Sequence, residues 1–147
     1  MLAARPLLLA CTLSLLALLH ASPSVAESAA QPYITEGYYR VKWGYFDEFM
    51  ALFKKNHFPI LKKMQELGHI QSMEAAFPLH HASEDSRWDF RLTIVIADTA
   101  AFAKALPEVT KALYPDEKKL KEEEHYRFTL LLAHQDLVIR HADTTNW

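Results

Sequence analysis

The chain has 147 residues, half of them hydrophobic, and a formal net charge of −2 at pH 7. This length suits one domain, and the apolar fraction is ample for a buried core. The near-neutral charge, without a basic cluster that could follow a phosphate backbone, argues against a nucleic-acid partner. The chain has only three glycines, too few to favour a loop that cradles nucleotide phosphates.

The first 26 residues have the three-part layout of a secretory signal peptide. Arg5 supplies the positive charge, and residues 7–19 form a mostly apolar run. Residues 24–26 then supply the small side chains that a signal peptidase reads, which predicts cleavage before Glu27. We therefore expect a chain that is exported and works in the periplasm or as a secreted protein.

Two other interpretations of this segment are weaker. A membrane span needs about 20 apolar residues, which is longer than this run, and we expect no membrane partner after cleavage. A lipoprotein processing site at Cys11 would leave too short an apolar segment before the cut. Cys11 is the only cysteine, so cleavage before Glu27 would leave a chain without thiols or disulfides.

The first half of the remaining chain predicts a strand, a long helix and a second strand. Tyr39, Val41 and Trp43 share one face of a strand that Gly44 ends. Hydrophobic residues then recur at steps of three and four from residue 46 to 67, which predicts a helix. Pro59 predicts an irregular middle in this helix, near residues 56–58. Residues 69–79 form a weakly predicted second strand.

The second half begins with a polar turn at residues 80–86 and a clearly alternating strand at residues 88–96. Asp98 or Thr99 can cap a second helix. Its predicted buried stripe consists of Phe102, Leu106, Val109 and Leu113. The charged residues 116–124 are expected to form a short solvated helix or a loop. Strand four is placed at residues 126–132, and residues 137–139 extend it or begin a fifth strand.

The order strand, helix, strand, strand, helix, strand predicts an α+β fold of the ferredoxin-like type, βαββαβ. In it a four-stranded antiparallel sheet carries two helices on one face. The expected organisation is a signal peptide at 1–26, a polar tether at 27–32, one domain at 33–140 and a mobile tail at 141–147. Strands one and four have apolar residues on both faces, so we expect the open sheet face to be an apolar interface.

Three segments carry a resemblance to a known superfamily. They are YYRVKWG at residues 38–44 running into FDEF at 46–49, NHFPIL at 56–61, and WDF at 88–90 leading to IAD at 96–98, followed by Phe102. In this order the segments resemble the dimeric α/β-barrel superfamily, particularly its stress-responsive, NIPSNAP-like and EthD-like branches. The likeness extends over about residues 33–134.

This resemblance implies a homodimer in which two subunits join sheet to sheet. It also implies a pocket in each subunit between the sheet and the helices. EthD-like members often have a His-x-Pro sequence where this chain has His57 and Pro59, which marks His57 as a candidate catalytic residue by resemblance.

His57 is also notable without the resemblance, because it occupies the apolar stripe of the first helix. An imidazole there could act as a general acid or base, or it could bind haem iron. It could equally be a core histidine that donates to a carbonyl freed by Pro59. The candidate ligand-binding residues are Tyr39, Trp43, Phe53, Trp88 and His134. No metal site is predicted, and no resident cofactor is expected apart from the haem possibility.

Three functions remain open at this stage. The first is an exported homodimer that binds a small apolar or aromatic ligand between sheet and helices. The alternative is a cofactor-poor monooxygenase, isomerase or haem-handling enzyme of the same superfamily that uses His57. The third is a purely structural dimer with a filled interior.

The signal-peptide interpretation makes a direct prediction about the mass of the exported protein. Expressed with its natural N-terminus in a secreting host, the protein should have a mature mass that corresponds to residues 27–147. Intact-mass spectrometry of the exported fraction checks this. A mass that retains residues 1–26 would contradict it.

Overall fold

The structure is a computed structural model of the chain, and it describes residues 32–80, 82–142, 144–145 and 147. The predicted signal peptide and most of the predicted tether lie outside these residues, as does His81. Within the described ranges, the helices are too short or too polar to cross a membrane.

A four-stranded antiparallel sheet forms one layer of the domain. Its strands are β1 (Tyr33–Val41), β2 (Ile70–Ala76), β3 (Phe90–Ile96) and β4 (Leu131–Ile139). They lie in the order β2-β3-β1-β4, with Tyr39 paired to Phe90 on one side and to His134 on the other. The predicted α+β architecture with an antiparallel sheet is confirmed.

The helices are α1 (Phe46–Leu52), α2 (Phe58–Glu66), α3 (Thr99–Leu113) and α4 (Glu117–Thr129), and a π-helical segment, Phe53–His57, joins α1 to α2. They cover the same sheet face. Side chains of Phe49, Phe53 and Met64 from this layer meet Tyr39 and Phe90 from the sheet in one buried core. Within the part of the chain that the structure describes, no helix covers the second face of the sheet, which we call the open face.

The predicted irregularity of the first helix is a π-helical segment placed just before Pro59. Proline has no amide hydrogen, so in a regular helix the carbonyl of Lys55 would lack its donor. The hydroxyl of Tyr114 donates to this carbonyl over 2.6 Å. The freed carbonyl thus accepts from Tyr114, the residue that follows α3, and not from His57. Gly68 ends α2 with a φ of +80°.

The predicted position of strand four, residues 126–132, is wrong. Residues up to Thr129 belong to α4, and β4 begins at Leu131. Tyr126 and Phe128 are two residues apart, which suggested a strand, but both are half exposed on the helix while Arg127 between them is buried. The charged residues before them support the helix with an Asp116 cap and i,i+4 ion pairs.

Trp43 also departs from its predicted place beside Tyr39 and Val41. Strand β1 ends at Val41, and the Trp43 side chain is 65% exposed in the following turn. Its ring lies 4.2 Å from the Arg87 guanidinium. Arg87 is buried and donates to the Val41 carbonyl and to Asp89, so this contact secures the end of β1 to the loop before β3.

Smaller differences concern the limits of elements. β2 and β3 are shorter than predicted, and α3 buries Val109 but leaves Leu113 at its end 40% exposed. Asp98 is the cap of α3, accepting from the amides of Ala100 and Ala101. The run at residues 116–124 is part of a full helix rather than a short one.

The open sheet face is only partly apolar, which corrects the expectation of a broad apolar surface. Alternation along the strands puts Glu36, Arg91 and Glu74 on this face, where Arg91 lies 3.7 Å from Glu36 and 3.4 Å from Glu74. The apolar part is one end of the face, where Ile34 pairs with Val95 and Ile139 and is already buried at 6% exposure, while the neighbouring Leu137 pairs with Glu36 and is 44% exposed. The open face therefore has a charged part and an apolar part side by side.

Candidate functional site

Seven side chains from β1, β4, the π-helical segment and α4 form a closed ring of contacts. We call them the histidine cluster: Tyr39, Phe53, His57, Glu124, Arg127, Phe128 and His134. Each contacts the next, with aromatic centroids 4.3–6.0 Å apart along His57, Phe53, Tyr39 and His134. Phe128 and Arg127 complete the ring on the side of α4. The structure thus brings together four of the predicted site residues.

The π-helical segment determines which side chains enter this ring. Its Phe53 and Asn56 are buried, and Asn56 donates to Glu123 over 2.8 Å. Lys55 pairs with the same carboxylate over 2.7 Å. These contacts fix the segment against α4, and π-helical turns of this kind are frequent at functional sites.

Arg127 and Glu124 form the charged part of the cluster. The Arg127 side chain is 1% exposed and donates twice to Glu124, over 3.0 and 2.7 Å. Its guanidinium also lies over the rings of Phe49, Phe53 and Phe128. A charge buried this deeply needs both kinds of contact, because desolvation would otherwise outweigh its attraction to a single carboxylate.

His57 and His134 each face a carboxylate. Nδ1 of His57 lies 3.7 Å from Oε2 of Glu124, and Nε2 of His134 lies 3.6 Å from Oδ1 of Asp136. Burial lowers the pKa of His134, and the attraction of Asp136 only partly opposes this. His134 is therefore a neutral imidazole at neutral pH, which can accept a proton.

Tyr39 separates the two histidines and remains a phenol. Burial raises the pKa of Tyr39 to about 12, and the nearby charge of Asp136 adds to the effect. Gly37 makes room for this arrangement, since a Cβ there would lie 3.0 Å from Asp136 and 3.3 Å from the Tyr39 hydroxyl. The close approach of these two side chains therefore depends on glycine.

A separate apolar pocket lies on the other side of Phe53, between the first helices and the β2–β3 half of the sheet. Its volume is about 260 Å³, and we call it the apolar pocket: Met50, Phe53, Lys54, Phe58, Ala75, Phe77, Phe90 and Leu92 line it. Phe53 and Phe90 belong both to this wall and to the core around Tyr39. The pocket and the histidine cluster are thus neighbours that share the Phe53 ring.

The two tryptophans predicted as ligand-binding residues lie outside the histidine cluster, although Trp88 lines an opening of about 300 Å³ together with His134. Trp43 covers Arg87, and Trp88 packs edge to face on Tyr38 with ring centroids 5.8 Å apart. Trp88 lines a larger opening of about 400 Å³ next to the loop at residues 77–82. Neither tryptophan lines the apolar pocket.

Sequence reasoning missed Glu124 because the charged run was interpreted as a solvated surface, and it missed Arg127 because residues 126–132 were assigned to a strand. The spacing Glu-x-x-Arg on a helix was the available signal, since residues three apart lie on the same helix face. It carried no indication that this face would be buried.

The structure does not favour haem at His57. The imidazole faces Glu124, and it does not line the apolar pocket, which at about 260 Å³ is below the usual size of cofactor sites. Within the described residues, no group of three His, Cys, Asp or Glu side chains is placed to hold a metal ion.

Glu124 gives the cluster a pH dependence. Burial disfavours its charge, but the interactions with His57 and Arg127 prevail and lower the pKa of Glu124 to about 2 from 4.5. A carboxyl with a lowered folded-state pKa stabilises the fold above its unfolded pKa, and this contribution is lost as the pH falls from about 4.5 towards 2. The pKa shift sets an upper limit of about 3 kcal/mol on what this interaction contributes to the free energy of unfolding.

We therefore expect Glu124→Gln to lower the free energy of unfolding by about 2–3 kcal/mol at pH 7, and by progressively less below pH 4.5. Urea denaturation from pH 7 to pH 3 measures this difference. Glu122→Gln, which removes an exposed carboxylate of the same helix, is the control and should change stability little. Wild type and Glu124→Gln with parallel pH profiles would contradict the account.

The sequence matches no protein-family model and no curated protein, but several solved structures share the fold. A dimeric ferredoxin-like protein from an uncultured marine organism has a TM-score of 0.53 at 7% identity, over 79% of this chain and 94% of its own. An EthD-family protein from Bacillus halodurans has a TM-score of 0.50 at 12% identity, over 76% of this chain and 100% of its own. A protein from Arabidopsis thaliana has a TM-score of 0.50 at 9% identity, over 78% of this chain and 99% of its own. The chain therefore has the ferredoxin-like fold that its resemblance to the dimeric α/β-barrel superfamily implied.

Proposed function

We propose that this chain is an exported homodimer that binds a small apolar or aromatic molecule in the apolar pocket. The observation that carries the proposal is the pocket itself, a space of about 260 Å³ with four phenylalanine rings in its wall. Export is supported by the signal-peptide pattern of residues 1–26.

The size of the pocket limits the ligand. Cavities of about 150 Å³ accept benzene, and pockets for drug-sized molecules begin at about 300 Å³. A volume of about 260 Å³ suits a molecule of one ring with a short chain, or two small fused rings. Such a ligand would gain stability mainly from the apolar area that it removes from water.

Ala75 offers a test because its side chain lines the pocket from β2. Ala75→Phe should fill part of the space and weaken binding of a single-ring probe such as indole at least tenfold. Ala51 is an exposed alanine of α1 that does not line the pocket, so Ala51→Phe is the matched control and should bind indole as wild type does. Isothermal titration calorimetry gives both constants. Equal loss or equal retention in the two variants would contradict the proposal.

The homodimer is supported by the fold and by the open sheet face. The marine relative in fold is itself described as dimeric, and the apolar end of the open face in this chain exposes Leu137 to 44%. Sheet-to-sheet pairing about a two-fold axis would remove this end from water.

The same face gives a prediction about the oligomeric state. Leu137→Arg places a charge in the proposed interface and should convert the dimer to a monomer in sedimentation equilibrium, since an unpaired charge is costly to bury. Val138→Arg changes the adjacent residue, which points to the helix side of β4, and should remain dimeric. A wild-type monomer, or a dimer unaffected by Leu137→Arg, would exclude this interface.

A second candidate function is acid–base catalysis by the histidine cluster. It is favoured by the pairing of His57 with Glu124 and by the neutral state of His134, whose lowered pKa follows from burial. Both imidazoles are partly accessible, with side chains 35% and 21% exposed. His134 lines an opening of about 300 Å³ beside Trp88, where a bound molecule could exchange a proton with it.

This candidate is tested with a substrate that reports general-base catalysis. The ring opening of 5-nitrobenzisoxazole needs only one proton abstraction, and wild type should accelerate it at least tenfold more than His57→Ala or His134→Ala. His125→Ala removes an exposed histidine of α4 and should leave the rate unchanged. Equal rates in all four proteins would exclude acid–base catalysis of this type.

A further inference from the structure

We infer that the ligand of the apolar pocket is an anion, namely a small carboxylate whose acid group lies at the pocket mouth beside Lys54. The inference rests on the proposed function, because it names the chemical class of the molecule that this pocket would bind. It depends on the composition of the wall and on the charges around the mouth.

The wall offers a ligand no hydrogen-bonding partner in the interior. Apart from Lys54, it consists of four phenylalanines and of Met50, Ala75 and Leu92. A polar group of the ligand that entered this space would lose its hydrogen bonds to water without replacement, which weakens binding. A ligand with a polar end would therefore bind with that end directed outward, to the mouth.

Lys54 is the only charged residue that lines the pocket. It is exposed and belongs to the π-helical segment, directly after Phe53. Its hydrocarbon stem can cover the apolar wall while the ammonium group stays in water. The charge that an outward-directed group would meet is therefore positive.

The neighbouring lysines are paired with carboxylates, whereas the Lys54 ammonium group is not paired with one in the ranges that the structure describes. Lys55 pairs with Glu123 over 2.7 Å, and Lys63 pairs with Glu66 over 3.1 Å. Among the described residues, no carboxylate lies within 4.0 Å of the Lys54 ammonium, and no carboxylate lines the pocket. A ligand carboxylate would be the first anion at this position, whereas a ligand amine would be repelled.

The expected preference is modest because the ammonium group is exposed. A solvent-exposed ion pair contributes about 0.2–1 kcal/mol, which corresponds to roughly a 1.4- to fivefold change in affinity. The apolar body of the ligand would supply most of the affinity, and the acid group would determine the orientation and the selection among ligands of similar size.

The test uses three probes that share a ring and a three-carbon chain but differ in charge. They are 3-phenylpropanoate, 3-phenylpropan-1-ol and 3-phenylpropan-1-amine, titrated into the mature protein by calorimetry at low salt. Wild type should bind the carboxylate about three- to fivefold more tightly than the alcohol, and the amine most weakly. Added salt at 0.5 M should reduce these differences, because it screens exposed charges.

Variants assign the preference to a residue. Lys54→Gln should bind the carboxylate and the alcohol equally, and Lys54→Glu should favour the amine. Lys62→Gln removes a lysine of α2 that does not line the pocket and should retain the wild-type order. All three are surface substitutions, and thermal unfolding should confirm that each variant is folded.

The outcomes separate this inference from the function on which it rests. Equal binding of the three probes by wild type, or a carboxylate preference that persists in Lys54→Gln, would overturn the inference and leave ligand binding intact. Absence of binding for all three probes at millimolar concentration would overturn the proposed function itself.

Discussion

The packing of the Phe53 ring is the interaction on which both candidate sites depend. The ring is 2% exposed and contacts Tyr39, Phe49 and Phe90, which joins the first helices to the centre of the sheet. One side of it faces the apolar pocket and the other faces His57. The π-helical segment before Pro59 brings Phe53 to this place, so an irregularity in the backbone determines where the apolar pocket lies.

The buried charge of Arg127 imposes the second constraint. Its guanidinium is held by Glu124 and by aromatic rings, and Glu124 in turn lies beside His57. A change at any of these groups would leave a neighbouring charge inside the protein with fewer partners, which is costly. The histidine cluster is therefore a coupled unit. It packs against the helix side of β4, whereas the apolar pocket lies beside β2.

Much of the fold was predictable because its signals are local. The alternation before Val41 and around Leu92 predicted two strands, Pro59 predicted the irregular helix, and Asp98 predicted a cap. The secondary structure of residues 126–129 was predicted wrongly because it depends on tertiary contacts. Tyr126 and Phe128 are spaced as in a strand, but the burial of Arg127 and the Asp116 cap favour a helix. Two-residue spacing alone cannot distinguish these cases.

The candidate site was less predictable, because it depends on contacts between distant parts of the chain. His57 could be singled out as a polar residue on an apolar stripe, and the structure places it near His134 through the Phe53 and Tyr39 rings. Its partner Glu124 lies 67 positions further along, inside a run that resembled a solvated surface. The position of Trp43 was predicted wrongly because β1 ends two residues before it, and its ring packs on the guanidinium of Arg87.

The most direct test of the central claim is a crystal structure of the mature protein grown with saturating 3-phenylpropanoate. The account predicts density for the ring between Phe58 and Phe77, in contact with Phe53 and Phe90, in the space of about 260 Å³ that these residues enclose. A pocket closed by its own side chains, or a probe bound only at another surface, would contradict it.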